Sequence, residues 1–269
     1  MALISGNTIG VCNDKCIQIN GNNGRIENNV LFGGDDGIEY DGDNPTITGN
    51  RVDSMGDDNI NINCGNYNDP IASSTITQTC TGGTISNNIV LGSGDDDEGI
   101  DISNAVNITI ENNTIKLVAE IALDFDGENS TIRGNRIWRS GTESTGEDCM
   151  EISGNGNNTI ENNQFKYCTF RAISQDSGDA NTYRNNTIIG SGRAGIYVSS
   201  SVSGTIIDGN TIIGGAGEGI ANNGTGTVIT NNTVTGNRTD ICVDTSGSYA
   251  TDTGNTIETG STSTACVVK

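Results

Sequence analysis

The sequence predicts an all-β fold, a right-handed parallel β-helix (solenoid) of about 10–11 coils with three short strands per coil and an asparagine ladder. Two recurring patterns and one absence lead there. The first pattern is apolar-x-x-Asn-x-apolar, plainest in Ile108-Thr109-Ile110-Glu111-Asn112-Asn113-Thr114-Ile115. Its second asparagine returns at Asn7, Asn29, Asn50, Asn88, Asn113, Asn135, Asn163, Asn186, Asn210, Asn232 and Asn255, in steps of 22, 21, 38, 25, 22, 28, 23, 24, 22 and 23 residues. A step of this size is one coil, enlarged by insertions in two or three places. The second pattern lies between the asparagines, at Gly37-Ile38-Glu39-Tyr40, Asn59-Ile60-Asn61-Ile62, Gly99-Ile100-Asp101-Ile102, Cys149-Met150-Glu151-Ile152, Gly195-Ile196-Tyr197-Val198, Gly219-Ile220-Ala221 and Asp240-Ile241-Cys242-Val243. Each alternates inward and outward, the signature of a short strand. The absence is of any connection long enough to hold a helix.

Each coil therefore begins with a strand ending in Thr-Ile, turns at the asparagine into a second strand, and reaches a third at Gly-Ile-x-Ile. Inward apolar residues stack on their equivalents above and below. Asparagines repeated at one turn pass amide hydrogen bonds from coil to coil, which satisfies buried turn polarity. At a rise of about 4.8 Å per coil the rod is about 50 Å long. The period never breaks, so residues 1–269 read as one domain with insertions at about 65–79 and 140–147. The 38 glycines, 2 prolines and 4% aromatic content agree with a thin aliphatic column rather than a globular core.

A net charge of −21 without histidine argues against nucleic acid and anionic membranes as partners, because both need basic patches. No apolar run is long enough to span a bilayer, and no signal peptide precedes the first repeat. Since Leu3-Ile4 already belongs to a coil, the chain reads as cut from something longer or stripped of its leader. Neither end shows a cap, so a missing cap or end-to-end self-association is expected. The 8 cysteines suggest pairs in the coil register: Cys12 with Cys16, Cys64 with Cys80 around the larger insertion, Cys149 with Cys168, and Cys242 with Cys266 one coil on. Such pairing places the protein outside the cell or on its surface.

Charge recurs just before the Gly-Ile-x-Ile strand: Asp35-Asp36, Asp57-Asp58, Asp95-Asp96-Asp97-Glu98, Glu120, Glu147-Asp148, then Arg171, Arg193, Glu218 and Asp240. The outward position of the strand adds Glu39, Asn61, Asp101, Glu151, Ser174 and Tyr197. Carboxylates stacked one rung apart repel, so either their pKa values rise or cations neutralise them. Oxygen ligands in this density suit calcium, with Asp35, Asp95, Asp96, Asp97 and Glu98 as its ligands. A solvated acidic face that keeps a rod soluble accounts for the same residues.

The fold pattern resembles the pectate-lyase-like superfamily of β-helices, which contains polysaccharide lyases, polygalacturonases, epimerases, phage tailspikes and non-enzymatic surface proteins. Within it, Asp36-Gly37-Ile38 followed by Asp57-Asp58-Asn59-Ile60 is similar to the Asp-Gly-Ile and Asp-Asp-x-Ile pair of polygalacturonases. The resemblance implies that Asp57 or Asp58 is the general acid and that Asp36 shares the activation of water. The chain has neither that family's Gly-His-Gly nor its Arg-x-Lys. A second constellation, Glu151, Lys166, Arg171, Arg193 and Tyr197, offers cations for a uronide carboxylate and a proton acceptor for a lyase or epimerase. Trp138, beside the Ser140 to Glu147 insertion, is the best aromatic platform for a sugar. The reading is a β-helix that binds or processes polysaccharide on an acidic, calcium-compatible lateral face, as a glycoside hydrolase or polysaccharide lyase if it is an enzyme. The alternative is a non-catalytic structural or adhesive rod.

Overall fold

The computed structural model describes residues 2–63, 79–92, 98–142, 146–243, 248–258 and 262–263. Their backbone forms three parallel sheets wound as a solenoid. Sheet A runs from Leu3–Ser5 to Ser248–Thr253 and sheet B from Thr8–Gly10 to Thr256–Ile257, each with eleven strands. Sheet C runs from Ile17–Asn20 to Thr262–Ser263, and Cys80–Thr81 pairs off its path with Ala105–Val106. Among the described residues there is no helix, and therefore none long and apolar enough to cross a membrane.

Register is set by the middle residue of each strand, which points into the column. In sheet A, Ile26, Ile47, Ile85, Ile110, Ile132 and Ile160 stack in line and are fully buried. A slip of one residue would turn each of them to solvent.

The turn from sheet A to sheet B shows why asparagine repeats. Each ladder asparagine donates from Nδ2, and through its backbone N–H, to Oδ1 of the next, at 2.8–3.1 Å, without a break from Asn7 to Asn255. The residue before it is left-handed in every coil, so only glycine or asparagine stands there: Gly49 at φ 68° and Asn112 at φ 57°, for example. The 38-residue step does not interrupt the ladder, because Asn50 still donates to Asn88 at 3.1 Å. A shorter ladder that the repeat pattern did not announce, Ser130 to Asn158 to Asn181, crosses the turn from sheet C to sheet A at 2.8–2.9 Å.

Cys12 pairs with Cys16 and Cys149 with Cys168. Cys80 and Cys242 are disulfide-bonded, while Cys64 and Cys266 lie outside the described residues. The expected equivalence of Cys242 and Cys266 does not hold in the strand register, which sets Cys242 opposite Ser263.

Candidate functional site

Sheet C brings the charged residues together. Its outward row passes through Glu39, Asn61, Asp101, Asp124, Glu151, Ser174 and Tyr197 on consecutive rungs. The turn leading into the same strands contributes Asp36, Asp58 and Glu98, then Asp148 and Arg171. Two ionised carboxylates one rung apart, at an effective dielectric of about 20, repel by about 3 kcal/mol, which is enough to move a pKa by about 2 units.

The carboxyls respond accordingly. Burial between rungs lifts Asp101 to about 7, aided by the charges of Asp58 and Asp124. It lifts Asp124 to about 6 and, together with Asp176 and Asp124, Glu151 to about 7. Glu98 rises furthest, to about 9, through burial and then the neighbouring Asp58, so it keeps its proton and donates it in a hydrogen bond to Asp58. Asp58 rises to about 6 through burial, opposed by that bond and by the Asn61 amide, which donates to it at 2.6 Å. Asp148, buried against Arg171, reaches about 6, because the guanidinium at 3.4 Å offsets part of the burial. Protonated and ionised carboxyls thus stand side by side near neutral pH, as acid–base chemistry requires.

The two ends of the row differ. At the first, Asp36, Asp57 and Asp58 place carboxylate oxygens within 4.8 Å of one another, a spacing that also suits a cation. Asp36 already has one: the Lys15 ammonium, 2.6 Å from it and 2.7 Å from Glu39. Asp35 lies one residue ahead of Asp36, and Glu98 belongs to the acid pair above. Asp95, Asp96 and Asp97 fall outside the described residues. At the far end the Arg171 guanidinium lies 4.0 Å from the Tyr197 ring and 5.0 Å from Phe170, which also carries Arg193 at 4.9 Å. Lys166 is not part of this constellation: it lies on sheet B beside Trp138.

Sequence reasoning missed Lys15, Asp124, Asp126 and Asp176. The strand Leu123-Asp124-Phe125-Asp126 carries no Gly-Ile, so a search on that motif passes over it, whereas counting 23 residues on from Asp101 lands on Asp124. Strict alternation was the signal available.

A parallel β-helix with an acidic row along one sheet defines the class of protein. The comparisons agree: residues 75–212 match the family model described as a right handed beta helix region, and the chain belongs to that family. No curated protein matches it in sequence. Among solved structures, a periplasmic alginate epimerase is 13% identical with a TM-score of 0.64, the match covering 98% of this chain and 73% of that one. The A-module of the mannuronan C-5 epimerase AlgE4 from Azotobacter vinelandii is 12% identical with a TM-score of 0.62, over 95% of this chain and 78% of that one. The catalytic unit of a GH87 α-1,3-glucanase from Streptomyces thermodiastaticus is 15% identical with a TM-score of 0.60, over 95% of this chain and only 50% of that one. At such identities the likeness concerns the fold.

Proposed function

We propose that the chain binds a polysaccharide laid along sheet C and cleaves its glycosidic bonds by general acid–base catalysis. One observation carries this reading: Asp101, Asp124 and Glu151 stand on consecutive rungs as a same-sign row, held at pKa values of about 7, 6 and 7. A protonated carboxyl of this row, or Glu98, donates to the leaving oxygen. An ionised neighbour one rung away, Asp124, attacks the anomeric carbon, and the glycosyl-enzyme so formed is hydrolysed by a water that the first carboxyl, now ionised, deprotonates. Among the solved structures of similar fold, the name of the α-1,3-glucanase supports cleavage of a polysaccharide, while the names of the mannuronan C-5 epimerase and the alginate epimerase support only action on one.

Calcium enters as a neutraliser of Asp36, Asp57 and Asp58, and at Asp36 it must displace Lys15. The disulfides support an extracellular or cell-surface setting. A non-catalytic adhesive rod is the second reading. The Lys15 clamp favours it, since it occupies Asp36, one of the carboxylates that the polygalacturonase resemblance needs free, and Glu39 beside it.

The test is incubation with a panel of neutral and acidic glycans, with and without calcium, while reducing ends and unsaturated products are followed. Hydrolysis yields reducing ends without unsaturation, and Asp101→Asn or Asp124→Asn lowers the rate at least about 100-fold with the far-UV spectrum unchanged. Unsaturated product would mean β-elimination instead of hydrolysis. Inertness on every glycan leaves the rod.

A further inference from the structure

One groove on sheet B stands apart in charge from the other described surfaces. The chain has 13 Lys and Arg against 34 Asp and Glu, and most of its basic side chains are neutralised by ion pairs, as Arg133 is by Glu111 and Arg184 by Glu161. Among the described residues, Lys116, Arg136, Arg139 and Lys166 have no carboxylate within ion-pair reach. All four belong to three consecutive coils. Register places Lys116, Trp138 and Lys166 in one outward row. The two ammonium groups lie 4.3 and 5.9 Å from the centre of the indole. With the adjoining turn these residues line a groove of about 340 Å³.

The turn itself adds an independent observation. Leu117, Arg139 and Tyr167 occupy it on the same three rungs, with φ of 60°, 53° and 59°. Coils before and after relax this position with Gly92, Gly190 and Gly214, although Val11 and Ser54 also stand at it. Bulky side chains in left-handed backbone are strained, and such strain clusters where a side chain has work to do. Core packing does not explain the two apolar ones, since Leu117 and Tyr167 are each 58% exposed. Gly190 makes room for the phenol ring, 3.1 Å from where a β-carbon would stand. The indole Nε1–H beside them is buried without an acceptor.

We propose that this groove is a second carbohydrate site, one that takes an anionic oligosaccharide. Lys116, Arg139 and Lys166 pair with its carboxylate or sulfate groups, and the Tyr167 ring and Leu117 pack against its sugar faces. The charge pattern selects an anion, and exposed aromatic and aliphatic surface between the cations selects a sugar. A long polyanion such as nucleic acid is disfavoured by the net charge of −21 around so small a patch. The site stands whether or not sheet C is catalytic.

Trp138 is the sole tryptophan, so tryptophan emission, excited at a wavelength the tyrosines do not absorb, reports on this groove. Oligogalacturonate and dextran sulfate distinguish carboxylate from sulfate ligands, with cello-oligosaccharide and dextran as neutral controls. At least one anionic glycan should give a saturable change that weakens as salt rises, while both neutral ones give none. Lys116→Gln and Lys166→Gln should each weaken binding about tenfold, and Asp101→Asn should leave it unchanged. Tyr167→Gly should raise Tm by about 2 to 4 °C while weakening binding, a pairing that a purely structural Tyr167 would not produce. This variant decides the matter should the lysine variants fail to fold. The proposal is overturned if no glycan alters the signal, if neutral glycans bind as well as anionic ones, or if the lysine variants bind like the parent. It is equally overturned if single-stranded DNA binds more tightly than either anionic glycan. A dimer mass for the unliganded protein that the lysine variants abolish would overturn it too, by assigning the groove to a second copy of the chain.

Discussion

Sheets A and C carry charged outward rows on the same rungs, and the two rows behave in opposite ways. In sheet A the row reads Glu111, Arg133, Glu161, Arg184, alternating in sign. Arg133 bonds Glu111 at 2.7 Å and Arg184 bonds Glu161 at 2.6 Å, and both arginines are about half exposed. In sheet C the row through Asp101, Asp124 and Glu151 has one sign only. The backbone is the same parallel ladder in both cases, so the order of the side chains alone separates a neutralised face from one that retains protons. Alternation leaves each charge beside an opposite one and lets the row stay ionised without repulsion. A same-sign row costs stability, and its persistence marks the face on which chemistry is proposed.

The largest effect that sharpens this contrast is on pH-dependent stability. Carboxyls on sheet C hold their protons more tightly folded than unfolded. The stability this lends is therefore whole below about pH 4 and is lost as the pH rises through about 6 to 9, the range spanned by Asp124, Asp101, Glu151 and Glu98. Urea midpoints should fall steadily from pH 5 to pH 9, and millimolar calcium should restore part of the loss if cations bind the row. Asp101→Asn removes one such group. Its shift from 3.8 to about 7 corresponds to about 4 kcal/mol, and solvent screening reduces the expected gain at pH 8 to about 2 kcal/mol. A flat urea midpoint across this range would mean that the row is already neutralised and would remove the distinction between the sheets.

How much of this could be read from sequence follows from what repeats. The ladder was legible residue by residue, because only asparagine satisfies that turn and only glycine or asparagine tolerates the position before it. The acidic face was legible where Gly-Ile marked the strand, as at Asp101, and where the alternation was as plain, as at Glu151. Asp124 was not, because Ala122 and Leu123 fill the same inward places without matching the motif. Lys15 was hidden for another reason: it sits between paired cysteines in the turn ahead of the strand Ile17–Asn20, where the spacing of the cysteines drew the reading instead. Lys166 was assigned to the wrong face, since proximity in rung number does not reveal which of three sheets a residue occupies. The strained turn at Leu117, Arg139 and Tyr167 leaves no sequence trace beyond the missing glycine.

A smaller effect comes from turning sheet A into sheet C. Arg133→Glu would put an acid between Glu111 and Glu161, so that three carboxylates stand on consecutive rungs as they do at Asp101, Asp124 and Glu151. The expected loss is about 1 kcal/mol at pH 8 and low salt, shrinking as salt is added, and stability should then recover on acidification. If Arg133→Glu has no effect, rung spacing alone does not create the repulsion invoked for sheet C.

The smallest effect, at Glu161, belongs to the sharpest comparison, because its counterpart lies within the same coil. Glu151 on sheet C and Glu161 on sheet A are separated by one strand and one turn, and both are half-buried. Glu161 accepts from Arg184, an exposed pair whose loss in Glu161→Gln should cost about 0.3 kcal/mol at pH 8. Glu151 is raised from 4.5 to about 7, so it is largely ionised at pH 8 among Asp176, Asp124 and Asp148, and Glu151→Gln should stabilise the fold. The same chemical change, ten residues apart, thus has opposite signs at pH 8, and both urea midpoints can be measured side by side. At pH 4 the Glu151 gain vanishes because the parent already carries the proton. Loss of stability in Glu151→Gln at pH 8 would show that its ionised form is held by partners, and the row on sheet C would then be as structural as the one on sheet A.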